Sequence, residues 1–211
     1  MKRVVFCFFF LIAGLNAFSQ VKSVFLDKDD HVTPDSTRAV TYAVYGKLEG
    51  DSVYTFKKLD FSGVLLTTGS FKDDSLAVPH GKFTYYSWIT PDNNYTNDGF
   101  EINGKERFIE VVGSFKDGQR TGRWISFYPD GRMKQIITFV QGVVHGAFQS
   151  FNPDGSVNIS GMYVAGKKNG TWSIAGGKQE NEYVNDELIS SLKGKQLREK
   201  QAAREKVNKA P

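Results

Sequence analysis

The sequence predicts an all-β protein: an elongated antiparallel array of 24-residue β-hairpin repeats, finished by a short C-terminal helix. Three observations carry this expectation. Glycines and aromatics recur at one fixed offset, the runs between them are short and rich in aromatic and β-branched residues, and Gly, Pro and Asp bound each run.

The repeat is read by laying residues 113–135 over 137–159 and over 161 onward. Phe115, Phe139 and Tyr163 then align, followed by Gly118, Gly142 and Gly166, by Gly122, Gly146 and Gly170, and by Trp124, Phe148 and Trp172. Phe127 matches Phe151, and Pro129-Asp130-Gly131 matches Pro153-Asp154-Gly155. A stretched copy stands upstream, where residues 69–73 and 113–117 both read GSFKD and Gly81-Lys82-Phe83 mirrors Gly122-Arg123-Trp124. Gly63 precedes Phe71 by the spacing that separates Gly131 from Phe139, so the array starts at least by Leu59.

Each unit reads as two strands, exemplified by Arg123 to Tyr128 and Gln135 to Val140. Pro-Asp-Gly is a turn with a mechanism: proline pre-sets φ, aspartate bonds its own backbone, and glycine accepts positive φ. The glycines at 122, 146 and 170 mark the other bend or a bulge. One hairpin cannot bury its apolar side alone, so neighbours must pair into an extended sheet. Trp124 and Phe127 lie three apart, which on a regular strand sends them to opposite faces. Either both faces are covered or a bulge realigns them.

The pattern Gly-x-Phe-x-x-Gly, Gly-x-Trp-x-x-Phe-Tyr and Asp-Gly resembles the MORN repeat, in the bacterial variant of YwqK-type proteins described as antitoxins. The resemblance covers residues 59–177, with its clearest motifs in 113–173, and Val24 to Tyr45 is similar to the lead-in strand and turn of exported members. It implies an elongated hairpin array that binds other proteins. It also implies a possible toxin-neutralising role and, for some MORN proteins, attachment to membrane surfaces.

The chain divides into a leader at 1–19, lead-in strands at 20–58, the array at 59–177 and a C-terminal helix with a basic tail at 178–211. Lys2 and Arg3 precede the apolar run Val4 to Ala13, and Ala17-Phe18-Ser19 supplies small residues for a cleavage site, the form of a secretory signal peptide. The expectation is export, to the periplasm, outer envelope or medium, with cleavage after Ser19. Cys7, the one cysteine, leaves with the leader, so disulfides and thiol catalysis are not expected. Residues 20–192 hold 18 Lys+Arg against 21 Asp+Glu, whereas 193–211 hold seven against two. A mildly acidic body argues against a nucleic-acid-binding face.

The array departs from its own pattern at 88–104, WITPDNNYTNDGFEING, which holds Trp88, Tyr95 and Phe100. Its plain reading is a long surface loop; its functional reading is a recognition loop. Arg120 and Arg123 stand where later copies carry Val144 and Ala147, then Lys168 and Thr171. These five residues, Trp88, Tyr95, Phe100, Arg120 and Arg123, are the candidate partner-binding set. The aromatic columns read first as core and second as a stacking platform.

No cofactor, metal or catalytic residue is expected. His80 and His145 precede the repeat glycine where other copies place Thr121 and Asn169, a polar turn position, and His31 stands alone. Asp27, Asp29 and Asp30 lack the glycine and terminal glutamate of a calcium loop. No Gly-x-Ser-x-Gly occurs, and Asp130 and Asp154 have turn duties. Beyond the array, Asp186 to Val207 reads as a helix with Leu188, Ile189 and Leu192 as its apolar stripe, interrupted by Gly194, over a tail able to meet an anionic surface. The expected function is an exported, non-catalytic scaffold that binds a protein or cell-envelope component. The alternatives are a toxin-neutralising immunity-type protein and a hydrolase without a recognisable motif.

Overall fold

The computed structural model describes residues 21–96 and 99–208. The leader and Cys7 lie outside the described residues. The chain is all-β, built as one sheet of 14 antiparallel strands. The lead-in supplies β1 (Lys22–Leu26), β2 (Val32–Thr33), β3 (Thr41–Gly46) and β4 (Tyr54–Leu59). The upstream copy supplies β5 (Leu65–Phe71) and β6 (Gly81–Trp88). Then follow β7 (Arg107–Lys116), β8 (Gln119–Phe127), β9 (Met133–Val140), β10 (Val143–Phe151), β11 (Val157–Val164), β12 (Lys167–Ile174), β13 (Gln179–Val184) and β14 (Glu187–Lys193). From β3 onward each strand pairs with its successor in the sequence, and β1 sits between β3 and β2 at the far end.

One edge of this sheet carries two-residue turns at Asp117-Gly118, Gln141-Gly142, Ala165-Gly166 and Asn185-Asp186. Both central residues are left-handed in each, with φ of 49° and 79° at Gln141 and Gly142. This is the type I′ turn, whose twist matches that of the flanking strands. Each turn is also sewn to the preceding hairpin: the Gly118, Gly142, Gly166 and Asp186 amides donate to the carbonyls of Pro79, Arg120, Val144 and Lys168 at 2.8–2.9 Å. The Pro-Asp-Gly turns lie on the other edge, where Asp130 Oδ1 accepts from the Arg132 amide at 3.0 Å and Asp154 Oδ1 from the Ser156 amide at 2.8 Å.

The glycines at 122, 146 and 170 are not the second bend; they sit inside β8, β10 and β12. Between Thr121 and Ile125 the chain takes four steps where its partner, from Ser114 to Val112, takes two, and the shift recurs at Val144–Phe148 and Asn169–Ser173. This irregularity lays the repeat aromatic over a glycine of the neighbouring strand. A Cβ at Gly113 would stand 2.1 Å from the Trp124 ring, and one at Gly161 would stand 2.2 Å from the Trp172 ring. In the middle copy Ile137 replaces that glycine and the smaller Phe148 replaces tryptophan, so ring and floor change together.

The core is an aromatic spine along one face. Phe56, Phe71, Phe83, Phe115 and Trp124 follow one another edge to face with centroids 4.9–5.5 Å apart, and Phe139 follows at 6.1 Å. Edge-to-face rings place a positive edge on a negative face, which adds to the burial gain. At the N-terminal end Leu26, Ala43, Tyr45 and Phe56 form a compact cluster with Phe71 and Leu76 packed on it. Trp124 and Phe127 do point to opposite faces. The bulge beside them places its extra residue, Lys134, in β9 and leaves β8 regular there.

The C-terminal expectation is corrected. Residues 179–193, expected as fading pattern and helix, form a further hairpin, and α1 (Gly194–Asn208) starts at the glycine expected to interrupt it. Leu188, Ile189 and Leu192 therefore belong to β14. Gln179 to Val184 runs four polar residues in a row before one tyrosine and one valine, a pattern without period-2 alternation to set against the strong helix formers that follow. The helix folds back onto the last hairpin through Leu197, which is 4% exposed, and through Lys200 and Arg204, both paired with Glu180 at 2.7 and 2.9 Å.

Candidate functional site

The Pro-Asp-Gly edge is where the regular array stops repeating. Between β6 and β7 the chain runs out through residues 89–106, and the insertion is a built element rather than a slack loop. Ile89 is 2% exposed and Ile102 9%, so two apolar side chains pin its base. Asn94 is 1% exposed, and its amide donates to the carbonyls of Gly99 and Glu101 while its oxygen accepts from the Thr96 amide and hydroxyl. A small hairpin closes the insertion, with Ile102 bridged to Lys105 across Asn103-Gly104. Cutting out 91–99 would therefore remove Asn94 and unroof the base, so point substitution is the cleaner probe of this element.

Tyr95 bolts the insertion to the next turn. Its hydroxyl donates to the Asp130 carboxylate and its ring meets Tyr128 edge-on at 5.5 Å. Burial, followed by the hydrogen bond to Asp130, pushes the Tyr95 hydroxyl up to about 12. Arg132 holds the same carboxylate at 3.2 Å and donates to the Pro153 carbonyl at 2.6 Å, while the Tyr128 hydroxyl donates to the Phe151 carbonyl at 2.7 Å. Insertion and two successive turns form one hydrogen-bonded rim.

Trp88 ends β6, and Arg107 opens β7 directly across from it. The guanidinium lies 5.1 Å from the Trp88 ring and 5.7 Å from the Tyr86 ring, and it donates to the Leu65 carbonyl. Its Nε is buried without an acceptor, and among the described residues no carboxylate pairs with it. Arg107 lines a cleft of about 410 Å³ between the insertion hairpin and the Pro129 to Gly131 turn, with Ile102, Ile109, Val112 and Phe127 as apolar wall and Lys105 at the mouth. Phe100, two residues before Ile102 in the sequence, is not part of the lining and is 67% exposed.

The other two candidates separate. Arg120 lies on the aromatic face, 4.8 Å from the Trp124 ring and 5.4 Å from the Phe139 ring. It is not particular to its copy in this respect, because Lys168 at the same register lies 5.1 Å from Trp172 and 5.2 Å from Tyr183. Arg123, adjacent to Trp124 and paired with Thr138, projects from the opposite face. The structure thus gathers Trp88 and Tyr95 on one rim, leaves Phe100 at its outer surface, and disperses the two arginines.

The aromatic face has two clefts meeting at Tyr85, one of about 360 Å³ and one of about 500 Å³. The tryptophans offer little platform there. Trp124 is 6% exposed and Trp172 3%, each with a glycine under its ring and a cation over it. The columns are core, with cations as lids.

The polar residues weighed for chemistry are occupied structurally. His80 and His145 each use Nδ1 to accept from the backbone of the neighbouring hairpin tip, at Asp117 (3.3 Å) and Ala165 (3.2 Å). Asp27, Asp29 and His31 come within 4.8 Å of one another. There Asp27 Oδ1 accepts from the Asp29 and His31 amides at 3.0 Å each, and those bonds, the one from His31 first, hold its carboxyl below the usual range. Sequence reasoning missed Arg107, Lys105 and Asn94. The Asn103-Gly104 pair, a type I′ signal, marks the hairpin that places the first two. No family model matches the chain, and no curated protein does.

Proposed function

We propose that this is an exported, non-catalytic, MORN-like repeat protein that binds a protein or cell-envelope component through its insertion-bearing rim. The observation that carries this reading is the cleft between the insertion hairpin and the Pro129 to Gly131 turn. Among the described residues it joins an arginine without a carboxylate partner to an apolar wall, on an insertion pinned by Ile89, Ile102 and Asn94 that also carries the exposed Phe100. Rigid support matters because ordering a loose loop on binding would consume much of the contact energy. The scaffold role rests further on the occupation of His80, His145, Asp130 and Asp154 in holding turns, which leaves them little freedom for proton transfer. Export rests on the leader pattern at 1–19, and the basic face of α1 remains available for weak contact with anionic surfaces. The toxin-neutralising role is a special case of the same binding reading.

Affinity capture from envelope extract, comparing the wild type with Phe100→Ala and Lys105→Glu, tests the site. Loss of one retained component in both variants, with melting unchanged, supports it. Identical retention by all three proteins would place binding elsewhere, and turnover in a glycan or ester panel that is abolished by Asp130→Asn would replace the scaffold reading altogether. N-terminal sequencing of the chain recovered from the medium or envelope should begin at Gln20.

A further inference from the structure

We infer that the cleft beneath the insertion takes the free C-terminal carboxylate of a partner chain that ends in a large aliphatic or aromatic residue. The inference rests on the rim being the binding surface and specifies what enters it. The geometry supplies both halves of such a ligand. Arg107 presents a planar guanidinium held by stacking on Trp88 and Tyr86 and by the Leu65 carbonyl, with no carboxylate of the described chain on it. With Nε buried and one Nη2 hydrogen on the Leu65 carbonyl, the terminal Nη1 and Nη2 edge is the pair of donors left for a carboxylate, and stacking removes much of the entropy lost when an arginine is ordered. Lys105 adds a second positive charge at the mouth.

The one acid in the lining, Asp130, is already neutralised. Its oxygens take the Tyr95 hydroxyl, the Arg132 amide and the Arg132 guanidinium, so it offers little repulsion to an incoming anion. Past the charged end, Ile102, Ile109, Val112 and Phe127 make an apolar wall, and about 410 Å³ accommodates one large side chain with its terminal carboxylate. A doubly charged inorganic anion would leave that wall unused. An apolar side chain bearing a neutral terminus would leave Arg107 unpaired.

The test is a nuclear magnetic resonance titration of the purified full-length chain with two acetylated tripeptides, Ala-Ala-Leu with a free carboxylate and the same peptide amidated. The expected result is saturable shifts confined to residues 86–88, 100–109 and 127–131, at least tenfold tighter for the carboxylate and weakening with salt. Lys105→Glu should weaken the carboxylate several-fold and leave the amide unchanged. Arg107→Lys, which keeps the charge and loses the fork, should weaken it further while the folded spectrum persists. Equal affinities for acid and amide, shifts centred on Trp124 and Arg120, or equal binding of inorganic phosphate would each overturn the inference. No shift with either peptide, alongside envelope capture that is still lost in Phe100→Ala, would overturn it too and leave the binding rim standing.

Discussion

The two edges of the sheet are built on opposite plans. On the edge of type I′ turns the four hairpin tips between β7 and β14 are alike, a pair of left-handed residues whose second amide reaches a carbonyl of the preceding hairpin two residues before its bulge glycine, and only the two connections nearest the N-terminus, 47–53 and 72–80, are longer. On the Pro-Asp-Gly edge the turns around Asp60, Asp130 and Asp154 are held by aspartate side chains, and the connection between β6 and β7 is an 18-residue excursion over 89–106. A backbone device works with nearly any side chain and standardises its edge. A side-chain device depends on which residues are present, and so that edge can diverge. Division of labour follows: one edge keeps the hairpins in step, and the other is free to hold a site.

That comparison can be broken at several points. Trp172→Ala removes a buried ring of the aromatic core between the two edges and should cost about 3–5 kcal/mol, read by chemical denaturation; a cost under about 1 kcal/mol would mean the ring is not core. Asn94→Ala should cost about 2–3 kcal/mol, because it strands the Gly99 and Glu101 carbonyls inside the insertion. The loss should be local, with amide exchange rising in 90–104 and little changed near Gly142. Gly142→Val, at the standardised edge, should cost about 1–2 kcal/mol for a β-branched residue at φ 79°. Exchange that accelerates only within one hairpin there would argue against the inter-hairpin sewing.

Alkaline titration separates the edges by sign. A tyrosine raised to about 12 in the fold and near 10 when unfolded stabilises fully below about pH 10 and loses that contribution as pH rises toward 12. Wild-type stability should accordingly fall more steeply over that window than that of Tyr95→Phe, and parallel curves would show that the Tyr95–Asp130 bolt contributes nothing. The smallest effect is expected at Phe100→Ala, within about 0.5 kcal/mol of the wild type, as for a side chain that is mostly in solvent. A larger loss would make Phe100 part of the fold rather than of the binding surface.

How much of this was legible beforehand follows the same division. The array was readable because Gly122, Trp124 and the Pro-Asp-Gly turn recur, and recurrence multiplies a weak local signal. The last hairpin was not, because Tyr183, its aromatic opposite Gly170, follows Tyr163 by 20 residues instead of 24 and strong helix formers come after it; only pairing with β12 makes it a strand. The insertion was found as a break in the pattern, but the contacts that tie Tyr95 to Asp130 and Tyr128 join residues more than thirty apart and left no local sign. Arg107 was invisible, since its importance comes from facing Trp88 across a strand pair rather than from any neighbour in sequence. Arg120 looked particular to its copy because Arg and Lys were compared as letters, whereas over a tryptophan both act as a cation.

The sewing of each hairpin tip to the strand before it makes the array modular in the manner of a ruler. Joining Ile136 to Gly161 removes one full 24-residue unit and leaves each tryptophan on its own glycine, Trp124 on Gly113 and Trp172 on Gly161, with Gly161 pairing with Trp124 as it now pairs with Phe148. Such a shortened chain would keep its insertion rim and its helical end while bringing them closer by the width of two strands, roughly 10 Å. The distance between whatever the rim holds and whatever the basic helix meets is thus a quantity the sequence can change by counting units, without redesigning either end.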